Sequence, residues 1–375
     1  MSRSRTHRLR AGLLLAGVVG AVAPAAAAGT SAHAATAASV QVVNGTVVVY
    51  DGGTGNTNDV RVFLDRGVLT ITDAVAITTA AGSGCTVTGT RARCGTGITG
   101  LNALLNDGAD AAVIEAPLTG VVRGGDGDDV FRSAVTGGLS AVAYDGGAGF
   151  ADRVEYRDAT GGVTVSLDDV ANDGRTLTGD RDDVRSSVEH LVGSAHRDTL
   201  TGSEGRNTIE GLRGDDTLRG LGGTDFFPSS LVVDGADSIS GGAGDRDAVS
   251  YVGRPRGVVV DLDGAQGDDG EPGERDSIGA DVERLSGTRF GDVLVGNASI
   301  NEIEGLEGVD HLHGLGLGDS LRGGDGADVV VGGDGDDSIT LNTDGDVDTL
   351  DCGRGRDRFS DERGVDVLVD CEVRL

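Results

Sequence analysis

Aspartates recur at nine-residue intervals near the end of this 375-residue chain. They stand at Asp292, Asp310, Asp319, Asp328, Asp337 and Asp346, with Asn301 on the one beat that lacks an acid. More acids fill the turns before them, at Asp325, Asp334 and Asp336. An earlier run keeps the phase at Asp198, Asn207, Asp216 and Asp225, and a separate unit carries Asp126 and Asp129. Carboxylates are hard oxygen donors. Gathered from adjacent turns, together with turn carbonyls, they offer the roughly six to eight oxygen ligands that Ca²⁺ prefers, whereas Mg²⁺ demands a tighter octahedron. If two nine-residue units make one coil, Asp310 lies near Asp328, Asp319 near Asp337 and Asp328 near Asp346.

Positioning such acids requires a turn before each one and a short strand after it. Glycines crowd the stretch preceding each acid, as in Gly323-Gly324-Asp325-Gly326-Ala327-Asp328, and glycine reaches positive φ without steric cost. Two positions after each of the first six beats, from Asp292 to Asp337, stands an aliphatic residue: Leu294, Ile303, Leu312, Leu321, Val330 and Ile339; the earlier run has Leu200, Ile209 and Leu218, with Phe227 in the same slot. One inward side chain per three-residue strand builds a core only when units stack, which is the logic of a solenoid. After Asp346 the register slips by two and resumes at Asp348, Asp357 and Asp366, with Leu350, Phe359 and Leu368 as the buried set. Such a slip reads as a bulge in one turn. Asn207 and Asn301 put a neutral amide where an acid is expected and read as weak sites or spacers.

These units resemble the GGxGxDxUx repeats of the hemolysin-type (RTX-like) calcium-binding proteins. Gly124 to Phe131 (GGDGDDVF), Gly323 to Val330 (GGDGADVV) and Gly332 to Ile339 (GGDGDDSI) match every fixed position of that pattern. Gly211 to Leu218, Gly220 to Phe227 and Gly305 to Leu312 lose the second glycine. The resemblance implies an all-β fold, a parallel β-roll or β-solenoid, holding several Ca²⁺ ions. It also brings in relatives that are metalloproteases, lipases and polysaccharide epimerases. Many proteins of this class use an uncleaved C-terminal export signal and lack cysteine. This chain departs from them on both counts, so the family's toxin association is not carried over.

A larger repeat contains the small one. Gly146-Gly147-Ala148-Gly149 returns ninety-five residues later as Gly241-Gly242-Ala243-Gly244, and Tyr156, Val163 and Leu167 return as Tyr251, Val258 and Leu262. The expected organisation is a leader over 1–34, an N-terminal β segment over 35–118, and a first calcium-type turn with a linker over 119–145. Solenoid copies follow over 146–240 and 241–346, then C-terminal repeats with a disulfide cap over 347–375. Asn44-Gly45 and Asp65-Arg66-Gly67 each sit between apolar runs and signal hairpins. The acidic stretches 168–183 and 261–276 lack periodicity and read as solvated loops.

The first residues carry Arg3, Arg5, Arg8 and Arg10 before an apolar run to Ala28 and the small-residue stretch Ser31-Ala32-His33-Ala34-Ala35. That is the layout of a secretory signal peptide cleaved after Ala34, with Ala28 as the alternative, and it places the mature chain outside the cell. Losing four arginines and no acids would take the formal charge from −30 to −34. A surface so acidic repels itself and is a poor partner for nucleic acid or anionic membrane. No second apolar span signals membrane insertion. Four cysteines fall in two close pairs, and in an exported protein an even count suggests disulfides. Of the three connectivities, Cys85–Cys94 with Cys352–Cys371 is the simplest.

Signals for catalysis are sparse. There is no H-E-x-x-H and no G-x-S-x-G. Gly318-Asp319-Ser320-Leu321 spells the nucleophile block of GDSL esterases, yet Asp319 is in phase with the turns and Leu321 fills the buried slot. His311 and His313 bracket Leu312 and should both face outward. No tryptophan is present to form a sugar platform. Two functions remain. The first is a secreted, non-enzymatic calcium-binding solenoid with a surface, matrix or adhesion role, folding on calcium at on the order of 10⁻⁴ to 10⁻³ M. The second is a hydrolase or lyase using acids such as Asp168 and Asp263.

Overall fold

Short strands after each acid pair at the spacing the nonapeptides dictate. In the computed structural model, which describes residues 35–229, 232–244, 246–361 and 365–374, Ile303 is in register with Leu321, Leu321 with Ile339, and Ile339 with Phe359. On the facing sheet Leu294 aligns with Leu312, Val330 and Leu350 in turn. All eight side chains are buried. Burying one such side chain contributes about 1.5–3 kcal/mol relative to exposure, and the stack repeats that gain coil after coil. Consecutive nonapeptides alternate between the two faces, so two of them make one coil. The described chain is all β and mostly parallel, a β-solenoid with an antiparallel N-terminal hairpin between Ala38–Val43 and Val47–Asp51. The signal-peptide expectation for residues 1–34 lies outside the described residues.

One face is a continuous sheet, and the other is broken into three. On the continuous face a buried column passes through Val60, Ala112, Phe131, Val154, Leu191 and Ile209. Across from it, strands Val163–Ser166 and Val259–Asp261 begin the second and third sheets. These are the duplicated GVTVSLDD and GVVVDLDG segments, so each large repeat restarts the opposing sheet.

The acidic stretches that follow are not simply solvated. Asp173, Asp180 and Asp182 in the first, and Asp269, Glu271, Glu274 and Asp276 in the second, are buried. Their carboxylates close backbone groups that no ladder reaches. Asp173 accepts the N–H groups of Ser166 and Val184, as Asp269 accepts those of Asp261 and Ile278, all at 2.8 Å. Tyr156 and Tyr251 donate their hydroxyls to Asp182 and Asp276. Buried guanidinium groups offset part of the charge: Arg175 pairs with Asp180, and Arg254 with Asp234 and Glu274. Only the tips, Asp168 and Asp263 among them, remain exposed.

The N-terminal segment is also more than a separate β cap. Asn44 and Gly45, then Arg66 and Gly67, take positive φ in two hairpin turns as expected. The inner strands of those hairpins, however, pair in parallel with Gly100–Asp107 and Ala111–Ile114. Those strands pair in turn with Thr119–Asp126 and Val130–Ser133. Residues 119–145, expected to hold a turn and a linker, are therefore integral rungs with Ala141–Ala148 as the next strand. Disulfides join Cys85 to Cys94 and Cys352 to Cys371. The two-residue slip is an exposed insertion around residues 343–347, and both sheets run through it in register.

Candidate metal centres

Most acids at the end of a turn accept the backbone N–H of their counterpart one coil earlier; Asp198 and Asp292 instead take the N–H groups of Val163 and Val258. Asp310 N–H donates to Asp328 Oδ1 at 2.9 Å, Asp319 to Asp337 at 2.7 Å and Asn301 to Asp319 at 2.8 Å. The ladder on the continuous-sheet side begins with Asn58 to Asp110, Asp110 to Asp129 and Asp129 to Asp152, then Asp152 to Glu189. It includes Asp225 to Asp247 and Asp247 to Glu283, and ends with Asp337 to Asp357 and Asp357 to Glu372. A second ladder on the opposite edge holds Asp198 to Asp216, then Asp292 to Asp310 to Asp328 to Asp348. A turn N–H that would otherwise be orphaned is closed by the next coil, which explains why an acid is favoured at this position.

The second oxygen of most of these carboxylates has no donor. Oδ2 of Asp110, Asp129, Asp152, Asp216, Asp225, Asp310, Asp319, Asp328, Asp337 and Asp357 is buried and makes no hydrogen bond. Burial pushes the carboxyls of Asp129, Asp216, Asp225, Asp310 and Asp319 up to about 7, and those of Asp110 and Asp328 up to about 6. Neighbouring acids add to the rise, while the accepted N–H opposes it. The first glycine of the turn keeps the space beside Oδ2 open. A Cβ on Gly305 would overlap Asp310 Oδ2 and crowd the Gly323 carbonyl, and Gly314 stands in the same relation to Asp319 and Gly332. Buried, unsatisfied carboxylate oxygens flanked by carbonyls are the donor set of a hard divalent cation, so these residues fit calcium.

Four turns are wired differently. In the turns ending at Asp198, Asn207, Asp292 and Asn301, the second residue donates its own N–H to the terminal side chain. Ser194 and Thr288 donate to Oδ2 of Asp198 and Asp292 at 2.5 and 2.6 Å, and Ser203 and Asn297 to Oδ1 of Asn207 and Asn301 at 2.7 Å. The hydroxyls of Ser194 and Thr288 also reach Oδ1 of the same acids, at 2.8 and 3.0 Å. The closing residue has no positive φ in any of the four. In the open turns the second residue does take positive φ, whether glycine (Gly324, +121°; Gly333, +115°) or leucine (Leu212, +77°; Leu221, +79°; Leu306, +88°; Leu315, +82°).

The ladder takes in Asp129, Asp198, Asp216, Asp225, Asp292, Asp310, Asp319, Asp328 and Asp337. The other acids marked by the sequence lie on the exposed rim: Asp126, Asp325, Asp334, Asp336 and Asp346. The expected neighbour of Asp328 is corrected. Asp348 occupies that place and Asp346 is exposed in the inserted turn, its N–H donated to Asp344. Nine-residue counting missed Asp110, Asp152 and Asp247, which stand 19, 23 and 22 residues from ladder partners, and the glutamates 189 and 283. The readable signal was the paired Val188-Glu189 and Val282-Glu283 of the large repeat.

Outside the ladders, Asp261, Asp263 and Asp268 bring carboxylate oxygens within 4.8 Å of one another at an exposed corner. Asp168 and Asp263, the acids of the hydrolase alternative, cap their own turns by accepting the N–H groups of Val170 and Ala265. Ser320 is exposed on the outer face, in register with Glu302 and Ser338. His311 is exposed and His313 half-buried around the buried Leu312. Among the described residues no helix is long and apolar enough to cross a membrane.

Fold and ladders together define a parallel β-solenoid with acid-lined turns on both edges. Residues 192–227, 286–317 and 313–348 match the family of the RTX calcium-binding nonapeptide repeat (4 copies), a match covering part of the chain. The Asp110–Asp129–Asp152 stack lies outside the matched segments. No curated protein matches the chain.

Proposed function

We propose that this protein is a secreted, non-enzymatic calcium-binding solenoid with an extracellular structural or adhesive role, its coils consolidated by calcium in the open turns. The observation that carries this reading is the row of buried Oδ2 atoms without donors, stacked at one per open turn. Asp310, Asp319, Asp328 and Asp337 are the leading ligands, with Asp216, Asp225 and Asp129 in the earlier stacks. Bound calcium would supply the positive charge that this buried row lacks. The exposed Asp126, Asp325, Asp334 and Asp336 would add negative potential at the turn mouths. Asp198 and Asp292 are left out of the ligand set because their oxygens already have donors, and Asp346 because it lies outside the ladder. The apolar N-terminal stretch and the two disulfides support export to an oxidising compartment.

Because the ligands come from different coils, binding and folding should be linked. Far-ultraviolet circular dichroism of the mature chain, titrated with calcium after chelation, tests this. The expected result is a cooperative gain of β signal at submillimolar to millimolar calcium that magnesium does not reproduce. A spectrum already rich in β and indifferent to calcium would refute the reading.

A further inference from the structure

We infer that the second residue of each turn decides whether a coil can take calcium, and that Ser194, Ser203, Thr288 and Asn297 act as stops dividing the acid ladder into separate arrays. This rests on the calcium reading and adds to it where binding begins and ends. The four stops open the two nonapeptide runs: turns 193–198 and 202–207 in the first, 287–292 and 296–301 in the second. In each, an internal N–H takes the oxygen that stays bare in an open turn.

A steric rule propagates the choice along the stack. Eighteen residues after each stop, directly above it, the second position is a leucine: Leu212, Leu221, Leu306 and Leu315. One coil further on it is glycine wherever a ladder pairing aligns it: Gly242 over Leu221, Gly324 over Leu306 and Gly333 over Leu315, with Gly353 then over Gly333. A Cβ on Gly324 or Gly333 would overlap the carbonyl oxygen of Leu306 or Leu315 beneath it. Positive φ in one coil thus swings a carbonyl into the place of the next Cβ. Above a stop, whose second residue has no positive φ, a side chain is accommodated, at the strain of a left-handed leucine. The order stop, leucine, glycine is therefore the boundary of an array, written one residue per coil.

Equilibrium dialysis with calcium measured by atomic emission tests the assignment on the mature chain, with circular dichroism as a check on folding. Asp328→Asn should lower the number of bound ions, while Asp292→Asn, which keeps the Oδ1 acceptor, should leave it unchanged. Asn301→Asp restores an acid in a stopped turn and should also add none. Thr288→Gly alone should add no ion because Leu306 blocks the open conformation above it, whereas Thr288→Gly with Leu306→Gly should add about one. Loss of calcium with Asp292→Asn equal to that with Asp328→Asn, or a gain with Asn301→Asp, would overturn the inference and leave the calcium reading standing. A wild-type chain that binds no calcium would sink both.

Discussion

The turns ending at Asp292 and at Asp328 present the same acid, equally buried, in the same ladder, two coils apart. At Asp292 both carboxylate oxygens have donors: Thr288 N–H and hydroxyl, and Val258 N–H. At Asp328 one oxygen holds the Asp310 N–H and the other has none. The difference originates in the backbone sign of the second residue. A buried acid is thus not evidence of a site by itself. The inserts make a third case: Asp173 and Asp269 are buried with both oxygens occupied by N–H groups, which assigns them to structure.

The largest effect should come from forcing the wrong residue into an open coil. Gly324→Leu should cost about 3 kcal/mol or more, from overlap with the Leu306 carbonyl plus left-handed strain. Leu306→Gly, its mirror test, should stay within about 1 kcal/mol because strain relief offsets lost packing. Urea unfolding of both variants measures the contrast, and equal losses would break it. Next, Asp328→Ala in chelator strips the acceptor from the buried Asp310 N–H and should cost about 1–3 kcal/mol. Thr288→Ala keeps the closing N–H and loses only the hydroxyl, so about 1 kcal/mol is expected.

The inserts supply a pH test. Burial pushes Asp173 and Asp269 up to about 7, Asp182 up to about 6 and Asp276 up to about 8. A carboxyl raised on folding favours the protonated native state. Its stabilising contribution is complete below the unfolded carboxylate range and is lost as pH rises through the folded value. Thermal stability should therefore fall between pH 5 and 8. Saturating calcium should not abolish that slope, since these acids lie outside the open turns. A flat profile with calcium would mean the inserts also bind the ion.

Much of this was legible in advance. The period, the buried slots at Leu294 through Ile339 and the all-β class follow from residue type and spacing, and the two disulfides are those of the simplest of three open connectivities. The inserts are not legible by counting because Asp173 and Asp276 obey no period: Asp173 finds its N–H partners Ser166 and Val184 within its own folded loop, and Asp276 finds that of Asp237 one coil away. The N-terminal rungs escape a nine-residue count because their coils vary in length, while parallel pairing needs only matching strands.

By itself, the sequence determined the strand length, the nine-residue beat and the edge on which most of the periodic acids stand, since polarity and glycine's left-handed freedom act locally. Tertiary structure decided which carboxylates are left bare and which are closed. That outcome depends on what the turn one coil away does with its carbonyl, and stacking alone makes those two turns neighbours.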